Sequence, residues 1–188
     1  RICCMYAIKQ AMLLSGARPL ADITIYYMDI RTFGKGYEQF YQNARAMGIE
    51  FVKGKVATIT EADDHSPVVR VELIDAGSQV VERQHDLVVL STGVTPAYNP
   101  QRLYGVPIAG SDGFVRTPSP NLSPCVTDRQ GVFVTGTAAG PMDIVDSIVM
   151  AGAAAAETAA YLQLNHRRAT GNGHRPLEAG QEVELAYA

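Results

Sequence analysis

The sequence has no surplus of positive charge: 16 Lys and Arg stand against 19 Asp and Glu, a formal net charge of −3. That removes the electrostatic footing for nucleic acid or for an anionic membrane surface. Long apolar runs are missing too. The longest, residues 148–156 (IVMAGAAAA), is Ala-rich and falls far short of the roughly 20 residues of a membrane-spanning helix, so no membrane insertion is expected. Cysteine is scarce, at Cys3, Cys4 and Cys125. An odd number with two neighbours, whose direct bridge would be strained, excludes a secreted disulfide framework and points to a reducing, cytoplasmic setting. No secretory leader is visible, and the chain starts at Arg1 rather than Met, which reads as a piece of a longer polypeptide and is silent on targeting. The His residues lack metal-ligand spacing, no Ser–His–Asp arrangement can be argued, and no internal repeat is evident. What is present is ordinary globular chemistry, 47% hydrophobic and 19% charged, with core material for one large domain or two small lobes.

Periodicity gives the order of elements. Residues 1–15 read as a helix, with Ala7, Ala11 and Leu14 on helical spacing and Gly16 as its stop. Residues 23–30 (ITIYYMDI) read as a buried parallel strand, 37–47 as a second helix ended by Gly48, and 49–52 as another strand. Short strands at 55–61, 68–75 and 80–83, with turns at 63–67 and 76–78, read as an antiparallel meander. Residues 86–90 (DLVVL) form a continuous apolar run that predicts a fully buried strand, leading into Ser91-Thr92-Gly93. Residues 94–130 hold six of the ten prolines and read as a connection with one short hairpin around Gly113. Residues 131–136 (GVFVTG) read as a strand with a glycine turn, 143–164 as a long helix, and 165–188 as a polar, mobile tail. The result is an α/β fold: a doubly wound sheet without its first strand, with a meander layer.

Three features carry possible chemistry. A strand ending in Gly136-Thr137 and feeding a helix aims free N–H groups and a partial positive charge at whatever lies there, which suits the edge of a flavin that turns negative on reduction. Alone, the same residues are equally a buried strand with a tight turn. Cys3 and Cys4 can supply two thiolates to an iron–sulfur cluster held by four, or be two small core residues. Lys9, about one and a half turns beyond Cys4, reads from sequence alone as a solvated surface lysine. His166-Arg167-Arg168 reads as a solvated helix end, where cations suit the dipole.

Residues 86–93 (DLVVLSTG), followed by Thr127 and the Gly131-Val-Phe-Val-Thr-Gly136 run, resemble the two-dinucleotide-domain flavoproteins of the thioredoxin reductase type. Those have an Asp on the ribityl chain where this sequence has Thr137. A narrower resemblance accounts for the departure. Gly136-Thr137-Ala-Ala-Gly140-Pro141-Met-Asp143-Ile144, Cys3-Cys4-Met5-Tyr6-Ala7-Ile8-Lys9 and Asp29-Ile30-Arg31-Thr-Phe-Gly34-Lys35-Gly-Tyr-Glu38 resemble the A subunit of heterodisulfide reductase, over residues 1 to about 164.

That resemblance implies a thioredoxin-reductase-like fold in part: residues 1–93 as an NAD(P)-domain-like lobe carrying the cysteine pair, 94–164 as the carboxy-terminal part of an FAD domain, and 165–188 as a tail. It implies FAD contacts from Thr92, Gly93, Gly136, Thr137, Ser147 and Ile148. Cys3 and Cys4 would be two of the four ligands of a [4Fe–4S] cluster, and Lys9 the cation near the flavin N5 position. Cys125 matches no part of the ligand pattern. Where a nucleotide domain would open its helix with a Gly-rich loop, this chain has Arg1-Ile2-Cys3-Cys4. Pyrophosphate of NAD(P)H is therefore not expected there, since β-carbons block its close approach.

The implied partners are B- and C-type subunits of the same complex and a second copy of the A subunit. The absence of cysteine after Cys125 favours the short sulfur-oxidation branch of the family. Two alternatives stay open: a pyridine nucleotide–disulfide oxidoreductase, whose flavin NADPH would bleach, and a non-catalytic lobe that docks partner subunits.

Overall fold

The computed structural model describes residues 2–169. It divides into two compact units, Arg1–Val94 and Thr95–Ala188.

The first unit opens with α1 (Ile2–Ala17). Its inner face is set by Ile8, which is wholly buried, and Ala11, which pack with Ala44 and Ile49. The chain then forms β1 (Thr24–Tyr27), α2 (Tyr37–Ala46), β2 (Glu50–Glu61), β3 (Pro67–Leu73) and β4 (Gln79–Gln84). The sheet order is β1-β2-β3-β4, with β1 parallel to β2 and the other pairs antiparallel. The sheet is therefore mixed: a parallel pair served by two helices, continued by a meander. α2 ends as Gly48 demands. With φ at +89°, Gly48 donates to Arg45 O at 3.0 Å, and the Ile49 N–H reaches Ala44 O at 3.3 Å, the paired bonds of a Schellman cap. The cap seats Ile49 beside Ala44 in the same core. In β3 the alternate residues Val69 and Val71 are buried and pack with Val52, so the meander has one apolar face.

The second unit gathers Ile108, Val115 and Val134, with Met150 and Ala138 packed on them. A small hairpin forms around Gly113 (φ +84°), where Ala109 bridges Val115, as the sequence indicates. A short helix α3 (Pro100–Tyr104) and a 3₁₀ turn (Gly136–Ala138) lead to α4 (Ile144–Ala169). α4 is capped at its start: Asp143 accepts from the Asp146 N–H at 2.8 Å. The Thr127 hydroxyl, buried, donates to Val132 O at 2.7 Å and accepts from the Arg129 N–H at 3.2 Å. It thereby closes the loop that Gly131 turns at φ +78°.

Several sequence expectations are corrected. β1 is four residues long and half-buried rather than a buried strand over 23–30. The strands expected at 49–52 and 55–61 are one element, bent by a bulge between Val56 and Thr58. Residues 86–90 form no strand. They have no ladder partner among the described residues; Val88 alone packs on the meander core, while Leu87, Val89 and Leu90 are about 70% exposed. Residues 131–136 are not a strand either: one bridge, Val126 to Phe133, precedes the left-handed Gly136. Residues 165–169, assigned to a tail, continue α4, and the rest of that tail lies outside the described residues. By length and composition alone, Ile144–Arg168 in α4 is long and apolar enough to cross a membrane, which the uninterrupted apolar run at 148–156 is not.

Candidate functional site

In the first unit the candidate residues converge on α1. Cys3 and Cys4 stand in its first turn, free and half-buried. The loop after β1 reaches Cys4. The Cys4 thiol donates to the Asp29 carbonyl at 3.8 Å, and the Arg31 guanidinium binds the Asp29 carboxylate at 3.0 Å. That hydrogen bond raises Arg31 from its ordinary value, and the two thiols add to the effect electrostatically.

Thr92 and Gly93 lie in an exposed turn. Its attachment to α1 is Tyr6, whose hydroxyl accepts from Ser91 Oγ at 3.1 Å and from the Gly93 N–H at 3.3 Å. Gly93 has φ +97° with nothing within 4 Å of where a Cβ would stand, so bare backbone faces open space. Lys9 is exposed on α1. Five residues from Cys4 place it about 140° around the helix and about 7.5 Å along it, so it does not face the thiols directly. Tyr6, three residues from each of Cys3 and Lys9, lies between them on the helix surface.

In the second unit Gly136, at φ +61°, is brought against Ser147: a Cβ there would stand 3.7 Å from Ser147 Oγ. Ser147 is held at the start of α4 by its bond to Asp143 O at 2.8 Å. Thr137 and Ile148 are exposed beside them, Ile148 by 67%. Gly136, Thr137, Ser147 and Ile148 thus form one surface at a helix amino terminus, where free N–H groups favour an electron-rich edge. Cys125 belongs to neither set. It is fully buried, donates to Met150 O at 3.4 Å, and burial raises its pKa. These are the properties of a structural thiol.

The residues fit the implied groups in part. Two half-buried neighbouring thiols can supply two of the four thiolates of a [4Fe–4S] cluster, and no set of three or more metal-ligating side chains exists among the described residues. Glycine backbone at Gly93 and Gly136 leaves the approach open that a side chain would obstruct. Sequence reasoning did not assign Tyr6, Ser91 or the Asp29–Arg31 pair. The contacts of Tyr6 span 85 and 87 residues, a separation no local pattern reports.

No protein-family model matches the chain. Curated relatives do. The A subunit of the H(2):CoB-CoM heterodisulfide,ferredoxin reductase of Methanothermobacter thermautotrophicus is 41% identical over 162 residues, which is 85% of this chain and 24% of that protein. The second iron-sulfur A subunit of the CoB–CoM heterodisulfide reductase of Methanopyrus kandleri is 42% identical over 86% of this chain and 25% of its own length. A protein of Archaeoglobus profundus named for its likeness to the heterodisulfide reductase A subunit is 41% identical over 82% and 22%. The chain spans about a quarter of the length of these relatives.

Proposed function

We propose that the chain belongs with the heterodisulfide reductase A subunits it resembles at about 40% identity, and that it works as part of an FAD- and iron–sulfur-bearing electron-transfer subunit in sulfur and disulfide redox metabolism. The observation that carries this reading is about 40% identity running through both compact units. In this reading the whole subunit is an oxidoreductase only within a complex, in the cytoplasm, and its partners are B- and C-type subunits and a second copy of itself. The first unit is a nucleotide-binding lobe of the thioredoxin reductase type converted to hold a cluster. The second closes the FAD domain.

Cys3 and Cys4 supply two of four cluster thiolates, the others coming from chain outside this segment. Gly136, Thr137, Ser147 and Ile148 of the second unit would hold the flavin, while the roles expected of Thr92, Gly93 and Lys9 in the first unit, backbone contacts and a positive charge favouring the reduced, anionic form, rest on the family resemblance alone. A flavin bound there would supply two-electron chemistry and a cluster held by the thiolates would supply one-electron transfer, the combination a disulfide reductase requires. The side chains of this segment bind and orient those groups and set the charge around them.

The test uses the full-length subunit. Cys3→Ser and Cys4→Ser should each lose cluster absorbance and iron while the flavin and the circular dichroism spectrum stay. Unchanged iron content in both variants overturns the ligand assignment. NADPH should leave the flavin of the full-length subunit oxidised; prompt bleaching would favour a pyridine nucleotide–disulfide oxidoreductase instead.

A further inference from the structure

We infer that Arg31 is a positioning residue for the redox centre at Cys3 and Cys4: it neutralises Asp29 beside the thiols and holds the centre's reduction potential up. The inference rests on the reading that the two cysteines are cluster ligands. Its basis is the loop after β1. The Asp29 carbonyl lies 3.8 Å from Cys4 Sγ, so this loop reaches one of the two thiols directly. The same residue carries a carboxylate, an unfavourable neighbour for a centre that gains negative charge on reduction. Arg31 Nε sits 3.0 Å from that carboxylate, and its guanidinium interacts electrostatically with both thiols.

The Asp29–Arg31 pair is a poor candidate for a stabilising contact. The Arg31 and Asp29 side chains are 73% and 69% exposed, and the two residues are separated by one position in a loop, so the pair does not tie distant elements together. Exposed pairs of this kind contribute little to folding. The arrangement does have a consequence for a charge-sensitive neighbour. With both side chains intact, the Asp29–Arg31 pair presents no net charge to the thiols. Without Arg31 the pair is left with one negative charge, and without Asp29 with one positive charge. Net charge is among the terms that set an iron–sulfur potential. Because the pair is exposed, its influence must also be screened by salt.

The experiment is redox titration of the full-length subunit, followed by the cluster's electron paramagnetic resonance signal. Arg31→Gln should shift the midpoint to more negative potential, and Asp29→Asn should shift it the opposite way. Arg31→Lys, which keeps the charge, should restore most of the wild-type value. Each shift should shrink as ionic strength rises, which a merely structural disturbance would not do. Equal midpoints in wild type and Arg31→Gln, or shifts of the same sign in Arg31→Gln and Asp29→Asn, overturn the inference. Iron content separates this outcome from the underlying assignment. If Cys3→Ser and Cys4→Ser lose iron while Arg31→Gln keeps both iron and midpoint, the ligand reading stands and the role of Arg31 falls.

Discussion

At the scale of single residues, the best-defined polar network is not at the cysteines but across the sheet. Glu50, at the start of β2, accepts from Arg83 on β4 at 2.7 and 2.9 Å and from Thr24 on β1 at 2.9 Å. Nearby, Tyr26 and His85 share a hydrogen bond of 2.8 Å. One carboxylate thus ties three strands. The Arg83 hydrogen bond holds Glu50 below its ordinary 4.5, with burial opposing it and Thr24 assisting. A carboxylate depressed in the folded state stabilises above the unfolded pKa and loses that contribution as pH falls through the folded value. Both side chains are more than a third exposed, so Glu50→Gln should cost only about 0.5 kcal/mol at neutral pH. In urea melts the gap between wild type and Glu50→Gln should be constant from pH 7 down to about 4.5, then close in stronger acid. A gap that persists undiminished at the lowest pH would show that the charge is irrelevant there.

At the scale of elements, glycines separate what the sequence discloses from what it hides. Gly48 and Gly136 sit where periodicity stops, and both take the left-handed conformation their position suggests. Gly54 is different: nothing in the sequence marks it, yet a Cβ there would meet Glu72 O at 2.7 Å and Val71 Cγ1 at 3.0 Å. The obstacle is partly backbone in the β3 ladder, which cannot rotate away. Gly54→Ala should therefore destabilise by about 1–3 kcal/mol, read as a lower urea midpoint. Gly152, within α4, has nothing within 4 Å, and Gly152→Ala should stabilise by up to about 1 kcal/mol, read as a higher midpoint. Opposite signs for two Gly→Ala changes test the packing directly; the same sign for both would contradict it.

The helices and the meander were legible because their period is local, although in α1 the buried face runs through Ile8 and Ala11 rather than the expected Ala7, Ala11 and Leu14, of which Leu14 is 45% exposed; in β3 Val69 and Val71 alternate inward. The bulge between Val56 and Thr58 that bends β2 was not legible, because it depends on register with β3. In the candidate site, the cysteine pair and the glycine turns are written in short motifs. The Tyr6 contacts to Ser91 and Gly93 arise only once the chain has folded back, and no spacing rule reaches them.

At the scale of the whole molecule, the informative region is one where composition and surroundings disagree. Residues 86–90 have the composition of a strand buried on both sides, yet Leu87 is 74% exposed, Val89 72% and Leu90 67%. Val88 alone reaches the core formed by Val52, Val69 and Val71. On α4, Ile144, Val145, Ile148 and Val149 are likewise two-thirds exposed or more. Scattered exposed apolar residues are ordinary, but runs of consecutive ones on a segment of β-rich composition are not. The chain spans about a quarter of the length of its curated relatives, and in those relatives the remaining polypeptide is available to cover such surfaces. Two outcomes are expected from one comparison. In the 188-residue chain, the amides of residues 87–90 should exchange with solvent quickly, since no ladder partner protects them, whereas Val69 and Val71 in β3 should exchange slowly. In the full-length protein the same four amides should become protected, while those of β3 change little. The shorter chain should also bind an apolar fluorescent dye more strongly per molecule, and bind FAD more weakly than submicromolar. Equal exchange at residues 87–90 in both proteins would mean that the segment is solvent-facing by design, and that its apolar run is not a strand awaiting neighbours.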